Sequence, residues 1–326
     1  MSFYALVADI GGTNARFALV EKGGLTLHHI EVLACQDYQN FDDALQSYYQ
    51  KCAVKAPEIA CISFACPIEE EIKMTNNHWA FNVEKMQKKL KLKQFKLLND
   101  FTAMAYGTLF VAEANKVLIQ AGDDKYTDAS RLVIGPGTGL GVSSLISVKA
   151  QSSKGSSGWQ AVATEGGHMT FAPQTELELQ VLQHLQAKYR RVSAERILSG
   201  DGILALYMAL CDIKKSPVQY TNAAQVTHAA LAIGEQADPL AGLTLNTFCE
   251  ILGAVTGDLV LAQGARGGVY LCGGILPRIT AFFQKSQFTQ QMCNKGRMSD
   301  YLSSVPVWLC AAKYPGLLGA AAALKL

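Results

Sequence analysis

A strand–glycine turn–strand pattern occurs twice in the sequence and constrains the fold more than any other feature. The first copy covers residues 6–20, with its turn at 11–14. The second copy covers residues 132–148, with its turn at 135–139. Short apolar runs joined by a glycine-containing turn predict β-hairpins. Two such hairpins, separated by about 125 residues, indicate an internal repeat and predict duplicated domains.

Outside the hairpins, apolar runs alternate with helical patterns. The runs Ile59–Phe64 and 95–98 are candidate buried strands, each preceded by a helical pattern. This alternation favours an α/β layer with parallel strands. Segment 151–158 (QSSKGSSG) predicts a loop tip without assigned function, and 316–324 (GLLGAAAAL) predicts a closely packed helix. A chain of 326 residues, 49% of them hydrophobic, can form two domains with large cores.

Charge and composition argue against several classes of protein. A net charge of +2 provides no excess of basic residues for binding nucleic acid. The basic run 85–96 predicts the solvated face of a helix that runs into a strand. The nine cysteines form no C-x-x-C pair, which favours a reduced cytosolic chain. The sequence begins without a basic leader, and Arg266 and several glycines interrupt the apolar stretch 259–276. We therefore expect neither export nor a membrane span.

Three glycine turns, each after a predicted strand, are candidate phosphate-binding loops. The third is Gly273-Gly274, after the apolar run 269–272. Glycine permits positive φ and lets backbone N–H groups approach a phosphate closely. No segment matches a Walker A loop, and the G-x-G-x-x-G dinucleotide pattern fails at Leu140 or Val142, depending on the register. A plain hairpin turn remains the alternative for any single loop.

Polar residues also follow two of the predicted strands. Asp9 ends an apolar strand, where a carboxylate is costly unless it binds a cation or hydrogen-bond donors. Asn99 and Asp100 directly follow the run 95–98 and precede a helix. Ligands collect at the carboxyl ends of strands in open α/β sheets, so these side chains are candidate ligand contacts. A helix N-cap is an equally weighted alternative for Asp100.

A second polar group lies beyond the second hairpin. Glu165 and His168 are separated by two glycines and could both contact one small polar ligand. A metal site is not favoured, because no cysteine cluster or second histidine lies nearby. Glu195 begins a predicted short helix at 195–198 that Gly200 ends. Local evidence favours Glu195 as a first-turn acid of that helix, stabilised by the helix dipole.

Seven short segments occur in the order in which one enzyme family has them. They are ADIGGTNARFAL (8–19), CPI (66–68), MTNNHWAF (74–81), LLNDFTAMAYG (97–107), GPGTGLGV (135–142), TEGGH (164–168) and ERILSG (195–200). Together they make the chain resemble the bacterial glucokinases over nearly its whole length. Each motif alone is weak, whereas the ordered set is specific.

The resemblance implies a fold and a reaction. The implied fold class is α/β, namely the two-domain actin-like ATPase (ribonuclease H-like) fold with ATP and sugar in the interdomain cleft. A small α/β domain would cover 1–110, completed by a C-terminal helix over 301–326, and a large α/β domain would cover 111–300. The implied reaction is ATP-dependent phosphorylation of D-glucose to glucose 6-phosphate, in the cytoplasm and as part of glycolysis.

The resemblance also implies roles for individual residues. ATP would be held by the three glycine turns, through Gly11, Gly12, Thr13, Asn14, Gly137, Thr138, Gly139, Gly273 and Gly274. Asp9 would orient Mg²⁺ through water. The sugar would be contacted by Asn99, Asp100, Glu165, His168 and Glu195. Asp100 would be the catalytic base for the sugar 6-hydroxyl.

Other functions remain open at this point. A nucleotide-switched binding protein of the same fold, akin to actin or the heat-shock chaperones, needs no sugar-contacting set, so that set favours the kinase. A kinase for another hexose is a nearer alternative. The sequence lacks the cysteine-rich zinc motif of the related repressor-and-kinase group and the helix-turn-helix of its repressors, which disfavours a DNA-binding regulator. Glucokinases of this kind are often dimers, so we expect a homodimer with glucose and ATP as ligands and no nucleic-acid or membrane partner.

Overall fold

A computed structural model describes residues 4–148, 158–234 and 237–325. Of the predicted loop tip 151–158, only residue 158 lies within this part. The described strands are β1 (Ala5–Ile10), β2 (Asn14–Val20), β3 (His28–Ala34), β4 (Ile59–Phe64), β5 (Glu71–Lys73), β6 (Ala80–Asn82), β7 (Gln94–Asn99), β8 (Lys116–Gln120), β9 (Arg131–Pro136), β10 (Leu140–Val148), β11 (Gly158–Thr164), β12 (Val269–Leu271) and β13 (Val307–Cys310).

The α-helices that the structure describes alternate with these strands in the first part of the chain and dominate after residue 170. They are α1 (Phe41–Cys52), α2 (Val83–Lys89), α3 (Asp100–Thr108), α4 (Glu176–Lys188), α5 (Gly200–Ile213), α6 (Ala223–Leu231), α7 (Pro239–Gln263), α8 (Thr280–Phe283), α9 (Phe288–Cys293), α10 (Ser299–Ser303) and α11 (Pro315–Ala323). Both predicted hairpins are confirmed, as β1–β2 and β9–β10. The basic run 85–96 forms most of α2 and the start of β7, as predicted.

The first compact unit contains the described residues of Met1–Asn115, Val148–Ala163 and Ala312–Leu326. Its sheet has the order β3-β2-β1-β4-β7, and β1, β4 and β7 are parallel to one another. Side chains alternate between the two faces of the sheet. Leu6, Ala8 and Ile10 pack in one core with residues of α1, whereas Ala5 and Val7 pack on the other face with residues of α3 and α11.

The second compact unit contains the described residues of Lys116–Ser147 and Thr164–Ala311. Within it β10, β9, β12, β13 and β8 lie side by side in that order. β9 is antiparallel to β10 and parallel to β12, and β12 is parallel to β13. In the first unit, the neighbouring strands β2-β1-β4-β7 have the same relative directions as β10-β9-β12-β13 of the second unit. The repeat seen in the glycine turns therefore extends to four strands in each unit.

Helix α7 is the longest helix of the described residues and lies within the core of the second unit. The Asp238 carboxylate caps it by accepting the N–H groups of Leu240 and Ala241 at 2.7 and 3.0 Å, and Gly264 ends it at φ 60°. By length and composition alone α7 could cross a membrane. However, 67% of its most apolar window is buried inside the structure, which is typical of a core helix.

Two sequence-based predictions of helix bounds are wrong. The predicted helix at 195–198 is a 3₁₀-helix at Ala194–Arg196, and Gly200 begins α5 instead of ending a helix. Ser199 decides this, because its hydroxyl oxygen accepts the Gly202 N–H at 3.1 Å and so caps α5.

The predicted C-terminal helix over 301–326 is also wrong in extent, because β13 lies inside that range and only α11 is helical near the end of the chain. Pro306 cannot continue a helix that begins before it, and the β-branched and aromatic residues that follow favour a strand. Pro315 suits the first turn of α11, where its missing N–H costs nothing.

Helices α3 and α11 cross with their backbones almost touching. A Cβ on Gly107 would lie 2.1 Å from the Pro315 carbonyl oxygen, and a Cβ on Gly319 would lie 1.6 Å from the Ala103 carbonyl oxygen. Both distances are far below van der Waals contact, and both obstacles are backbone atoms that cannot rotate away. The crossing therefore requires glycine at both positions.

We predict that Gly319→Ala lowers the free energy of unfolding by about 1–3 kcal/mol or more, because the added methyl group forces the two helices apart. Urea unfolding followed by circular dichroism measures this. Gly242→Ala in α7 is the matched control, since a Cβ there meets no described atom within 4 Å. That variant should keep its stability or gain up to about 1 kcal/mol from helix propensity. Equal destabilisation of the two variants would contradict the tight crossing.

Candidate active site

Parallel pairing brings three polar residues of the first unit to one edge of its sheet. Asp9 of β1 pairs in register with Ser63 of β4, and Phe64 of β4 pairs with Asn99 of β7. Because β1, β4 and β7 are parallel, their carboxyl ends lie at the same edge. The predicted ligand contacts Asp9, Asn99 and Asp100 therefore lie at this edge, together with the first glycine turn, which follows β1.

Asp9 is a largely buried carboxylate with two partners. The Ser63 hydroxyl donates to its Oδ1 at 3.1 Å, and the Arg16 guanidinium donates to its Oδ2 at 3.5 Å. Its side chain is 17% exposed. Burial raises the pKa of Asp9, and the Arg16 charge and the Ser63 hydrogen bond oppose this shift without cancelling it. A nearby cation would stabilise the ionised form, so the residue fits the predicted role beside Mg²⁺.

The first glycine turn is compact and packs on another segment of the same unit. The Gly11 N–H donates to the Asn14 carbonyl at 3.0 Å, which closes the turn. A Cβ on Gly12 would lie 2.9 Å from the Asn76 Cβ. Neither glycine has a positive φ, so glycine at position 12 is required by space and not by backbone conformation. Gly316 of α11 packs against Asp9, because a Cβ on Gly316 would lie 2.8 Å from the Asp9 Cγ.

Of the adjacent residues Asn99 and Asp100, the first is the N-cap of helix α3 and the second is its first residue. Asn99 is the N-cap of α3, because its Oδ1 accepts the N–H groups of Phe101 and Thr102 at 3.0 and 3.3 Å. The N-cap alternative for Asp100 is therefore wrong: Asp100 is the first residue of the helix, and its Oδ1 accepts the Phe101 N–H at 2.9 Å. Burial, and to a lesser extent the Asp100 charge, raise the pKa of the Cys66 thiol to about 11.

The second and third glycine turns lie side by side in the second unit. The Cys272 N–H donates to the Ile134 carbonyl at 2.8 Å. Gly273 has φ 85°, and a Cβ there would lie 2.4 Å from the Pro136 carbonyl oxygen. By contrast, a Cβ on Gly137 or Gly274 meets no described atom within 4 Å. The fold itself thus leaves space at Gly137 and Gly274, as close approach of a phosphate would require.

Glu165, His168 and Glu195 form a polar cluster in the second unit. His168 Nε2 lies 3.9 Å from Glu165 Oε2, and His168 Nδ1 lies 3.8 Å from Glu195 Oε1. These distances are too long for direct hydrogen bonds. The Glu165 and His168 side chains are 65% and 56% exposed, so core packing does not explain their position. The two segments predicted to contact one ligand are thus brought together.

Glu195 lies in the first turn of the 3₁₀-helix Ala194–Arg196, as the local interpretation expects. Its Oε2 also accepts the backbone N–H of Leu140 at 2.8 Å, which is a contact across 55 residues of sequence. The side chain therefore also links this segment to the second glycine turn. Among the described residues, no group of three or more His, Cys, Asp and Glu side chains is arranged to hold a metal ion.

The sequence analysis missed several residues that build these sites. Ser63 and Arg16 hold the Asp9 carboxylate, and the N–H groups of Leu140 and Gly200 contact Glu195 and the Gly137 carbonyl. Arg16 could have been predicted, because it lies within ADIGGTNARFAL and pairs directly with Asp9 across the predicted hairpin. Ser63 is the one hydroxyl residue in the apolar run IACISF. The backbone donors leave no trace in the sequence.

The chain is similar to glucokinases of known sequence and structure. The family model for glucokinase matches residues 6–326. The glucokinase of Hahella chejuensis is 50% identical over 323 residues, which cover 99% of this chain and 97% of that protein. The crystal structure of a glucokinase from an Antarctic psychrotroph has a TM-score of 0.83 and 35% identity, with 98% of each chain covered.

The fold extends to more distant kinases. A ROK-family glucokinase from Streptomyces griseus, solved in complex with glucose and AMPPNP, has a TM-score of 0.59 at 18% identity, with 97% of each chain covered. The predicted two-domain actin-like kinase fold is thereby confirmed. With a family model that matches almost from end to end and a relative that is half identical, this chain belongs to the glucokinase family.

Proposed function

We propose that this chain transfers the γ-phosphoryl group of ATP to the 6-hydroxyl of D-glucose, with Asp100 as the general base. Membership of the glucokinase family supports a glucose-phosphorylating kinase. The observation that carries the assignment of the sugar contacts is the convergence of Glu165, His168 and Glu195. The glucose and AMPPNP bound by the Streptomyces griseus enzyme, which shares the fold, are consistent with these substrates.

The mechanism proposed for these residues consists mostly of alignment and charge neutralisation, because phosphoryl transfer has a loose transition state. Backbone N–H groups of the three glycine turns stabilise the phosphate oxygens. Asp100 accepts the proton of the sugar 6-hydroxyl. Asn99 orients Asp100 by capping α3, so that the Asp100 carboxylate begins the helix in a fixed position. Carboxylates and an imidazole suit the remaining hydroxyls because each can pair with adjacent donors and acceptors.

Mg²⁺ would be held with the nucleotide, and Asp9 would orient it through water. Bound there, the cation supplies positive charge that offsets the charge on the β- and γ-phosphates. Hydrogen bonds from Ser63 and Arg16 hold the Asp9 carboxylate in its orientation. This arrangement needs no cluster of protein ligands.

We further propose that the two compact units correspond to the predicted small and large domains, and that the enzyme is a cytoplasmic homodimer of glycolysis. All nine cysteines lie within the described residues as free thiols, which suits a reducing compartment. Size-exclusion chromatography with light scattering tests the dimer directly.

A coupled assay tests the reaction as a whole. Glucose, mannose, fructose, galactose and N-acetylglucosamine are each offered with ATP, ADP or polyphosphate, and sugar 6-phosphate is measured. The proposal requires glucose with ATP to give the highest kcat/KM. A chain that hydrolyses ATP without phosphorylating any hexose would instead support a nucleotide-switched binding protein.

The first prediction from this proposal concerns Asp100→Asn, which keeps the shape of the side chain and removes the base. We expect kcat to fall by at least ~10²-fold while the affinity for glucose changes much less. Steady-state kinetics and glucose titration measure the two effects. Asp300→Asn, at an exposed first-turn acid of α10, is the control and should match the wild type. A near-normal kcat for Asp100→Asn would assign the base to another residue.

The second prediction concerns Asp9→Asn. A raised pKa means that the folded state binds a proton at Asp9 more readily than the unfolded state. The contribution of Asp9 to stability is therefore most favourable at low pH and is lost as the pH rises through its raised folded-state value. Removing the charge should leave the thermal midpoint of the ligand-free protein at pH 7 unchanged or higher.

The same variant should raise the KM for MgATP by about 10–100-fold, because an outer-sphere partner of the metal is lost. Asp37→Asn, at an exposed acid of the same unit, controls for the loss of one negative charge. An Asp9→Asn variant that loses stability but keeps its KM would show that Asp9 serves only the fold.

The third prediction concerns discrimination among sugars. Polar groups that pair with particular hydroxyls are left without partners when an analogue lacks or misplaces one of them, and each such loss costs about 1–3 kcal/mol. We expect glucose to be preferred over its epimers and over N-acetylglucosamine by about 10-fold or more in kcat/KM. Equal kcat/KM for glucose and N-acetylglucosamine would contradict the assignment.

A further inference from the structure

One carboxylate of the polar cluster also contacts the second glycine turn. The N–H of Leu140, the residue directly after the turn, donates to Oε2 of Glu195 at 2.8 Å. The other oxygen of the same carboxylate, Oε1, lies 3.8 Å from Nδ1 of His168. Glu195 thus directs one oxygen to the turn and the other to the cluster.

Within this turn, residues 137–139 form its last part, and the same segment of chain also contacts the first of these three residues. The Gly200 N–H donates to the Gly137 carbonyl at 2.8 Å. Inside the turn, the Gly137 N–H donates to the Gly139 carbonyl at 2.8 Å. Segment 195–200 therefore contacts residues 137–140 at two points, once through a charged side chain and once through its backbone.

The space around Gly139 shows how closely Glu195 approaches the turn. A Cβ on Gly139 would lie 2.4 Å from Glu195 Oε2, whereas a Cβ on Gly137 meets no described atom within 4 Å. Neither residue has a positive φ, so the backbone would accept alanine at both positions. A methyl group at position 139 would therefore have to displace the Glu195 carboxylate.

We propose that Glu195 is a positioning residue for the 137–139 turn and thereby couples sugar binding to nucleotide binding. The identity of the two ligands, glucose at the cluster and ATP at the turn, rests on the proposed function. A hydrogen bond from a backbone N–H to a carboxylate is stronger than one between neutral groups, so it can hold the turn in its binding conformation. The Glu195 side chain is 30% exposed, so part of it is open to a ligand.

The coupling follows from the two oxygens of one group. A sugar hydroxyl that donates to Oε1 fixes the orientation of the carboxylate, and this fixes Oε2 against the Leu140 N–H. The turn is then ordered before the nucleotide arrives, and the cost of ordering it no longer reduces nucleotide affinity. Linkage makes the effect reciprocal: glucose must strengthen nucleotide binding by the same factor by which nucleotide strengthens glucose binding.

The first test measures MgADP affinity by calorimetry in the absence of any sugar. Glu195→Ala should weaken MgADP binding by about 5-fold or more, a typical lower bound for coupled sites, although no hexose is present in this measurement. Hydrogen exchange at the Leu140 amide should accelerate by about 10-fold in the same variant, because its acceptor is gone. A variant with wild-type MgADP affinity and wild-type exchange at Leu140 overturns the proposal.

The second test uses two alanine variants of the same turn and measures glucose affinity without nucleotide. Gly139→Ala displaces the Glu195 carboxylate and should weaken glucose binding by about 5-fold or more. Gly137→Ala, with open space around its methyl group, should keep glucose affinity within about 2-fold of the wild type while it weakens MgADP binding. Equal glucose affinities in the two variants would overturn the coupling, and the pair remains informative if Glu195→Ala folds poorly.

These outcomes separate the inference from the proposed function. A wild-type protein that phosphorylates no glucose overturns the proposed function and the sugar half of the coupling. The MgADP and hydrogen-exchange measurements need no sugar, and they decide the positioning role of Glu195 in either case. A wild-type enzyme that phosphorylates glucose, together with a Glu195→Ala variant unchanged in both measurements, overturns the inference alone.

Discussion

The candidate site of the second unit depends on close backbone packing that is possible only where the residue is glycine. A Cβ at Gly135 would lie 2.5 Å from the Cys272 carbonyl carbon, and one at Gly167 would lie 2.0 Å from the Leu140 carbonyl oxygen. With the similar constraint at Gly273, whose Cβ would meet the Pro136 carbonyl oxygen, these backbone segments are packed at distances that no other residue type allows. The obstacles are mostly main-chain atoms, so the segments cannot be separated without moving strands. The relative positions of the turns and the polar cluster depend on this packing.

The same constraint distinguishes two uses of glycine in the turns. At Gly12 and Gly273 the fold leaves no room for a side chain, and at Gly139 a Cβ would have to displace the Glu195 carboxylate. At Gly137 and Gly274 the fold leaves room, and the reason for glycine lies outside the described atoms. The sequence motif does not separate these two groups, because both are written with the same letter. Only the second group leaves space that a ligand could approach, whereas the first group is explained by packing.

Much of the strand framework could be predicted from the sequence, because strands such as Ile59–Phe64 are short apolar runs bounded by polar residues. Helix starts were harder. Asn99 and Asp100 are adjacent and both can cap, and only the structure shows that Asn99 accepts the first N–H groups. Likewise, Gly200 was expected to end a helix, but it begins one, because the Ser199 hydroxyl accepts the Gly202 N–H and caps α5.

The role of Glu195 could not be derived locally at all. Its partner is a backbone N–H of another segment, and a backbone donor is present at every residue except proline, so the sequence carries no signal for it. The family resemblance brought Glu195 into the site, and the structure supplied the contact that explains how it is held.

The three acidic and basic side chains of the cluster differ in how far the protein itself satisfies them. Glu195 has committed one oxygen to Leu140 and is the least exposed of the three. Glu165 and His168 are more than half exposed and lie beyond hydrogen-bond distance of each other. A side chain that the fold holds by one oxygen loses less freedom when a ligand fixes it, whereas exposed side chains must be ordered entirely when the ligand binds. Under the proposed function, Glu195 would therefore cost the least entropy to order around the sugar, and Glu165 and His168 would cost the most.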